Sequence, residues 1–382
     1  MSPAASPVPA VHLLPEARRG LLLGVRGWIA VAAALALVAI VVPVLNLLVP
    51  AGSPLHLGDW GVALVAKIMC YAICALAMDL VWGYAGILSL GHGLYFALGG
   101  YAMGMYLMRQ IGRDGNYRSD LPDFMVFLDW KTLPWTWAGS ASLGFQLFLV
   151  VAAPSVVAGV FGWFAFRSRI KGVYFSIITQ ALTFAAMLLF FRNETGFGGN
   201  NGFTDFKRIA GVPIALPSTR MALFVITGCT LVGFVLMARA IVNSKFGRVL
   251  QAIRDAESRV MFTGYDPLRY KLAVWVLSAA MCGVAGALYV PQVGIVNPSE
   301  MSPASSIEMA VWCAVGGRGT LVGPVLGAFF VNGAKSWFTQ AFPEFWLYFL
   351  GALFIAVTLF LPDGLLGIAA SLRREKGVEA RR

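Results

Sequence analysis

Side chains that can bind a solute are sparse in this sequence, and most of them lie inside long apolar runs. A polar stripe recurs at helical spacing within the run 172–191 and consists of Ser176, Thr179, Gln180 and Thr183. Glu308 is the sharpest single candidate, because an ionisable group in an apolar segment is costly unless it pairs or faces water. Hydroxyl, amide and carboxylate groups exchange hydrogen bonds with small polar solutes. The stripe is equally consistent with hydrogen bonding between helices. Glu308 is equally consistent with a structural ion pair to Lys67 or Lys335.

Motifs for catalysis are missing from the sequence. No nucleotide-binding loop of the form G-x-x-x-x-G-K-[ST] occurs, and the nearest fragment, 333–336, lacks the upstream glycine spacing. No G-x-S-x-G nucleophile motif occurs, and the histidines His12, His56 and His92 are too far apart in sequence to suggest a zinc site. The five cysteines suggest no disulfide framework. We therefore predict no metal site and no cofactor bound by this chain, and a membrane enzyme is disfavoured.

The composition predicts a membrane protein. Of 382 residues, 59% are hydrophobic and only 12% are charged, which does not suit a soluble domain. Ten apolar runs are near the length that crosses a bilayer: 28–50, 61–81, 85–108, 143–166, 172–191, 220–241, 271–291, 306–316, 321–341 and 345–361. The eighth is short and is consistent with one limb of a re-entrant hairpin. The expected fold class is all-α, a polytopic inner-membrane helical bundle of about ten transmembrane spans.

The basic residues predict the orientation. Nineteen of the 29 Lys and Arg residues fall on one side of the bilayer if both termini are cytoplasmic, as the positive-inside rule favours. The expected parts are a disordered lead (1–27), a transmembrane domain (28–362) with a cytoplasmic loop (242–270) and external loops (109–142 and 192–220), and a basic tail (363–382). Attraction of basic loops to anionic lipid explains the net charge of +11 without nucleic acid.

Glycine clusters interrupt two of the predicted spans. They comprise Gly83, Gly86, Gly91, His92 and Gly93 in one place and Gly316, Gly317 and Gly319 in the other, and both contain G-x-x-G-x-L. Such density breaks a helix, which in a membrane marks a transport path or a close packing of helices. The external loop carries Asn200 and Asn201 between glycines, where the amides suit either contact with a solute or an ordinary turn.

The segment from Ser244 to Lys271 is an amphipathic helix between two spans. Ser244 is a plausible N-cap, Gly264 ends the helix, and Asp266 with Pro267 starts the next one. Its apolar positions recur at helical spacing and are Phe246, Val249, Leu250, Ile253, Val260 and Met261. The mixed charge of the other face favours insertion into a groove of a soluble protein over binding to a lipid surface.

Several motifs together carry a resemblance to a known family. These are GYAGILSLGHG at 83–93, GRVLQAIR at 247–254 and GGRGTLVGP at 316–324. The sequence resembles the branched-chain amino-acid permease family of ABC transporters over about residues 60–367. Three further segments, 121–127, 199–204 and 289–300, are similar to the permease subunit of urea transporters.

The resemblance implies partners and a location. It implies a multi-pass subunit of the bacterial inner membrane in a heterodimer with a second permease, two cytoplasmic ATPase subunits that bind ATP and Mg, and a periplasmic solute-binding protein. The segment 244–271 then resembles a coupling loop that contacts the ATPase through Phe246, Gly247, Arg248, Ile253, Arg254, Glu257 and Gly264.

Three functions remain open at the level of sequence. The motif similarity favours a urea permease, and the alternative within the family is a permease for branched-chain or other amino acids. An amino acid would need groups for both its carboxylate and its ammonium. A stand-alone channel or secondary transporter is the third possibility, but it has no need of an ATPase-docking helix. The candidates for the solute path are Gln180, Thr183, Asn200, Asn201 and Glu308.

Overall fold

The computed structural model describes residues 24–342 apart from 51 and 54, together with positions 344, 345, 348, 351, 352, 355, 364 and 365. The predicted lead (1–27), the tenth apolar run (345–361) and the basic tail (363–382) lie largely outside these residues. Helix α1 begins at Val25, three residues before the first predicted span.

The described part of the chain is mainly helical. Its twelve α-helices are α1 (Val25–Ala36), α2 (Val42–Leu47), α3 (Asp59–Asp79), α4 (His92–Ile111), α5 (Asp123–Phe127), α6 (Leu143–Arg167), α7 (Val173–Phe190), α8 (Pro217–Asn243), α9 (Lys245–Phe262), α10 (Pro267–Val293), α11 (Pro303–Gly316) and α12 (Val322–Ala341). A π-helical segment, Leu37–Val41, joins α1 to α2, and another, Leu80–Tyr84, extends α3. The predicted helical class is therefore confirmed.

Among the described residues, six helices are long and apolar enough to cross a membrane. They are Val25–Leu47, Asp59–Tyr84, Leu143–Arg167, Val173–Phe190, Pro217–Asn243 and Pro267–Val293. Helices α4, α11 and α12 occupy three more of the predicted runs. With 14 residues, α11 is about 21 Å long, which is short of the ~30 Å of a hydrocarbon core. The described part of the chain thus has six candidate spans, and the predicted number of ten is not confirmed.

Helix α10 is at the centre of the bundle and packs against α3, α4 and α6. Small residues allow the closest approach, because a Cβ at Gly286 would overlap the carbonyl of Phe96 on α4. Trp275 of α10 is fully buried and donates a hydrogen bond to the carbonyl of Ala158 on α6, 3.0 Å away. Helices α11 and α12 pack on each other and on α3.

The predicted external loops form an ordered layer at one end of the bundle, which we call the loop end; the opposite end, where α9 lies, is the α9 end. Two small antiparallel sheets in this layer are a departure from the all-α prediction. Strand β1 (Phe203–Thr204) pairs with β4 (Ile295–Val296), and β2 (Arg208–Ile209) pairs with β3 (Val212–Pro213). Trp137 donates a hydrogen bond to the carbonyl of Gly196, 3.0 Å away. The strands arise because loop backbone next to buried helices needs hydrogen-bond partners.

Candidate functional site

The boundaries of α9 agree with the prediction. The Ser244 side chain accepts a hydrogen bond from the amide of Gly247, 3.4 Å away, and so caps the helix. Gly264 has a φ of +85° just after the helix, and the Asp266 side chain caps α10. The interior of α9 was not anticipated, because Ala256 has non-helical angles (φ −155°, ψ 71°) and kinks the helix.

The apolar face of α9 packs on the chain's own bundle. Leu250, Ile253 and Val260 are buried. Met261, the last of the apolar positions, is 45% exposed, because the kink at Ala256 interrupts the helical periodicity before it. The next residue, Phe262, is 92% exposed, and the sequence analysis missed it because it ignored residues outside the apolar stripe.

Arg254 ties α9 to the end of α3. Its Nη1 donates a hydrogen bond to the carbonyl of Gly83, 2.7 Å away, while its Nε contacts Asp255 at 2.9 Å. Gly86, which has a φ of +73°, packs directly against the Arg254 side chain, and a Cβ there would meet it at 2.7 Å. Both the left-handed backbone and the lack of space therefore favour glycine at this position.

Glu257 provides a second attachment for α9. It accepts a hydrogen bond from Lys271 of α10 at 2.6 Å and forms an ion pair with Lys171, just before α7, at 2.5 Å. Burial alone would raise the pKa of Glu257, but the two lysines outweigh it and lower that pKa. Phe246 stacks on Tyr270 with their ring centroids 5.2 Å apart.

The remaining predicted coupling residues have different environments. Gly247 is buried against the backbone of Val242 and leaves no space for a side chain. Arg248 is exposed, together with Ala252 and Arg259. The part of α9 that is available to another protein is therefore its charged face, together with Met261 and Phe262 at the end of the helix.

The two glycine clusters meet at the α9 end, and we call residues 83–86 with 316–321 the glycine junction. The buried carboxylate of Asp79 accepts hydrogen bonds from the amides of Gly319 and Leu321, the second at 2.9 Å. The Tyr84 hydroxyl donates to the carbonyl of Gly319, 2.8 Å away. A Cβ at Gly83 would clash with the Gly319 amide. Asp79 was missed by the sequence analysis, although a carboxylate in an apolar run is a usable signal.

The other glycines of the clusters serve close packing. Gly316 lies against the carbonyl of Gly323, and Gly317 has a φ of +109° at the end of α11. A Cβ at Gly91 would come 3.0 Å from the carbonyl of Thr179. Gly86 and Gly319 are the second glycines of the two G-x-x-G-x-L motifs, and their φ angles of +73° and +76° are alike. The repeat therefore has a structural basis in this shared backbone conformation.

The polar stripe on α7 supports the break between α3 and α4. Within the predicted span 85–108, residues 85–91 are not helical, and the helix begins at His92. Ser176 donates a hydrogen bond to the carbonyl of Leu88 at 2.8 Å, and Thr179 accepts one from the amide of Leu90 at 3.1 Å. Thr183 bonds to the carbonyl of Thr179. Hydroxyls thus satisfy backbone groups that the broken helix frees, and Gln180 is half-buried beside them.

The first turns of α4 and α11 meet halfway along the bundle. His92 Nε2 lies 3.1 Å from the hydroxyl of Ser278, near the middle of α10. The amide of Gly93 donates a hydrogen bond to the hydroxyl of Ser306 at 3.2 Å. From this point α11 runs to the α9 end and α4 to the loop end. Paired helix starts inside a bundle are typical of the discontinuous helices in transporters.

A charged cavity of about 340 Å³ lies beside these helix starts. Its lining includes two lysines and two glutamates, Lys67, Lys335, Glu300 and Glu308. Lys335 is 2.8 Å from one oxygen of Glu308 and 3.0 Å from the other, so it is the structural partner that the sequence analysis considered. Glu300 accepts a hydrogen bond from Tyr289 at 3.2 Å. Glu300 was missed as a candidate, and only its place in the segment 289–300 hinted at it.

The two predicted loop amides lie elsewhere. Asn200 and Asn201 belong to a 3₁₀ turn, Gly199–Asn201, in the layer at the loop end, and both are exposed. They do not line the charged cavity. Within the described residues, no group of three or more His, Cys, Asp or Glu side chains is arranged to hold a metal ion.

The discontinuous helices, the apolar spans and the charged cavity together define a multi-pass membrane permease. The chain belongs to the family of branched-chain amino acid transport system permease components, whose model matches residues 62–358. Permease subunits of this kind are not themselves enzymes, and the chain is a multi-pass protein of the bacterial inner membrane. The family implies a partner permease, ATPases and a binding protein in general.

Individual relatives agree with the family. The chain is 24% identical to the high-affinity branched-chain amino acid permease protein LivM of Salmonella typhimurium over 358 residues, which cover 88% of this chain and 76% of LivM. It is 25% identical to LivM of Escherichia coli, covering 78% and 68%. It is 28% identical to the autoinducer 2 import permease LsrC of Salmonella paratyphi B, covering 46% and 54%. No solved structure matches the chain.

Proposed function

We propose that this chain is the translocation subunit of an ABC importer for amino acids, coupled to partner ATPases through α9. The observation that carries the proposal is the arrangement of α9. Its apolar face is already occupied by the chain's own bundle, Arg254 and Glu257 tie it to three other elements, and its charged face is exposed. A helix that only lay on lipid would instead direct its apolar face outward.

Movement of α9 has two routes into the bundle. One runs from Arg254 to the carbonyl of Gly83 and, through the glycine junction, to α3 and to the connection between α11 and α12. The other runs from Glu257 to Lys171 and Lys271, and so to α7 and α10. Closure of the ATPases would displace α9, and these contacts would tilt the helices beside the charged cavity.

Amino acids are favoured over urea as the substrate class. Curated relatives that cover most of this chain are named for branched-chain amino acid transport. Urea, which the motif similarity favoured, receives no support from those relatives. The charged cavity points the same way, since urea is neutral and carries no charge that a lysine and a glutamate would complement.

The finer architecture of the assembly is part of the proposal. We place both termini in the cytoplasm, count about ten spans, and pair the chain with a different permease, two ATPase subunits that bind ATP and Mg, and a periplasmic binding protein. Gln180, Thr183 and Glu308 remain candidates for the solute path, and Asn200 and Asn201 for first contact with the solute.

Photo-crosslinking of the co-expressed importer tests the assignment. A photoreactive residue at position 252, on the exposed face of α9, should crosslink to an ATPase subunit in mild detergent. The control is position 164 on the candidate span α6, where Phe164 is 66% exposed, and it should give no such product. If no ATPase co-purifies and neither position crosslinks to one, a stand-alone carrier replaces the proposed function.

A further inference from the structure

The charged cavity holds two opposite charges that are not paired with each other. Its other two charges, Glu308 and Lys335, already form an ion pair. Within the described part of the chain, neither Lys67 nor Glu300 has an oppositely charged side chain within ion-pair distance. Removing charged groups from water costs free energy unless a partner compensates for it, so this lysine and glutamate are candidates for contact with a charged solute.

Lys67 and Glu300 flank the same tyrosine. The Lys67 ammonium lies 5.9 Å from the ring centroid of Tyr289 and 5.7 Å from that of Tyr71. Glu300 contacts the hydroxyl of Tyr289 through Oε1, which leaves Oε2 without a hydrogen-bond partner among the described residues. A positive and a negative group that form no ion pair with each other therefore line the same cavity. Such a pair complements an amino-acid zwitterion, whose ammonium and carboxylate groups are attached to the same carbon.

The rest of the lining is mixed. Met309 and Trp312 provide apolar surface, and Trp312 stacks on Tyr71 with ring centroids 4.8 Å apart. Polar groups complete the lining: Asn297, Ser299, Ser302 and Ser305. The cavity volume of about 340 Å³ is within the usual range of roughly 300–1,000 Å³ for small-molecule sites.

The charged cavity is connected to a second cavity that extends toward the loop end. A second cavity of about 320 Å³ shares Lys67, Tyr71 and Lys335 with it and extends between α3 and α12 to Trp60 and Gln340. Trp60 is in the first turn of α3, beside Asp59, which pairs with Arg220 in the first turn of α8 at 3.7 Å. A solute released at the loop end can thus reach Lys67 along α3.

We propose that the charged cavity is a transit site for zwitterionic amino acids. Lys67 binds the carboxylate, Glu300 binds the ammonium group, and Met309 with Trp312 contacts the side chain. The inference rests on the proposed function, but it locates substrate recognition inside this chain rather than only in an external binding protein.

Binding of radiolabelled leucine to the purified permease–ATPase complex, without the binding protein, tests the site. Unlabelled leucine, leucinol (which lacks the carboxylate) and 4-methylpentanoate (which lacks the ammonium group) serve as competitors. Lys67→Met should weaken leucine binding about tenfold and leave leucinol unchanged, since one charge-assisted hydrogen bond is worth that order of affinity. Glu300→Gln should weaken leucine similarly and leave 4-methylpentanoate unchanged.

The matched controls are Lys131→Met and Glu194→Gln, which remove the same charges from exposed positions in the external loops. They should bind leucine like the wild type. Three results would overturn the site: no leucine binding by the wild-type complex, unchanged leucine binding in both cavity variants, or equal weakening of all three ligands, which indicates a structural role. If these occur while the complex still couples ATP hydrolysis to amino-acid uptake, the site fails and the proposed function stands.

Discussion

Replacing Arg254 by Met should uncouple ATP hydrolysis from transport without disrupting the assembled complex. The substitution keeps most of the side chain's apolar length and removes the hydrogen bond to the carbonyl of Gly83. A hydrogen bond to a charged group contributes about 1.5–3 kcal/mol. The guanidinium side chain is 39% exposed, so solvent screening reduces the contribution to about 1–1.5 kcal/mol. If the motion of α9 reaches α3 through this bond, the loss corresponds to a drop of about 5- to 12-fold in coupling.

The assay is ATPase activity of the complex in lipid nanodiscs, with and without the solute-loaded binding protein. Arg254→Met should lower the stimulated rate by this factor and leave the basal rate and membrane insertion unchanged. Arg269→Met removes an exposed arginine next to α9 and is the matched control, with its side chain 85% exposed. Arg254→Glu should abolish stimulation, because a carboxylate would repel the Gly83 carbonyl. Equal stimulation in the wild type and both Arg254 variants would refute the route through the glycine junction.

Three further predictions concern the stability of the same region. Asp79→Ala leaves two amides of the glycine junction unpaired and should cost about 2–6 kcal/mol, read as a lower Tm in detergent, whereas Glu194→Ala on the exposed loop should change Tm little. Gly86→Ala should also lower Tm, because its φ of +73° and its contact with α9 both oppose a Cβ, while Gly144→Ala, with open space around it, should not. The lowered pKa of Glu257 means that its stabilising contribution is complete above about pH 5 and is lost as the pH falls through that lowered value. The protection of α9 amides against hydrogen exchange, relative to their intrinsic exchange rates at each pH, should therefore fall at acidic pH in the wild type but not in Glu257→Gln; pH-independent protection in the wild type would contradict the two-lysine contact.

The elements were more predictable from sequence than their contacts. Ser244 and Gly264 give the bounds of α9, because caps act within a few residues of the chain. The kink at Ala256 has no such local signal, and it moved Met261 out of the buried face. The helix breaks were visible as glycines, yet the side chains that support them lie on another helix, about 90 residues further along the chain.

The charged cavity shows the same limit for function. An intramembrane lysine and glutamate are individually recognisable as costly. Lys67 and Glu300 are more than 200 residues apart in sequence and meet only because α10 returns the chain beside α3. Spacing along one helix could not reveal that pair, whereas it did reveal the stripe on α7, most of which proved to bond to backbone.

ATP-driven uptake is the most direct test of the account. Proteoliposomes with this chain, its partner permease and the ATPases are loaded with ATP, and radiolabelled leucine is presented outside with the binding protein. We predict accumulation that requires ATP and is reduced about 5- to 12-fold by Arg254→Met but not by Arg269→Met. Accumulation of equal extent without ATP or without the ATPase subunits would contradict the central claim that α9 couples this permease to an external source of energy.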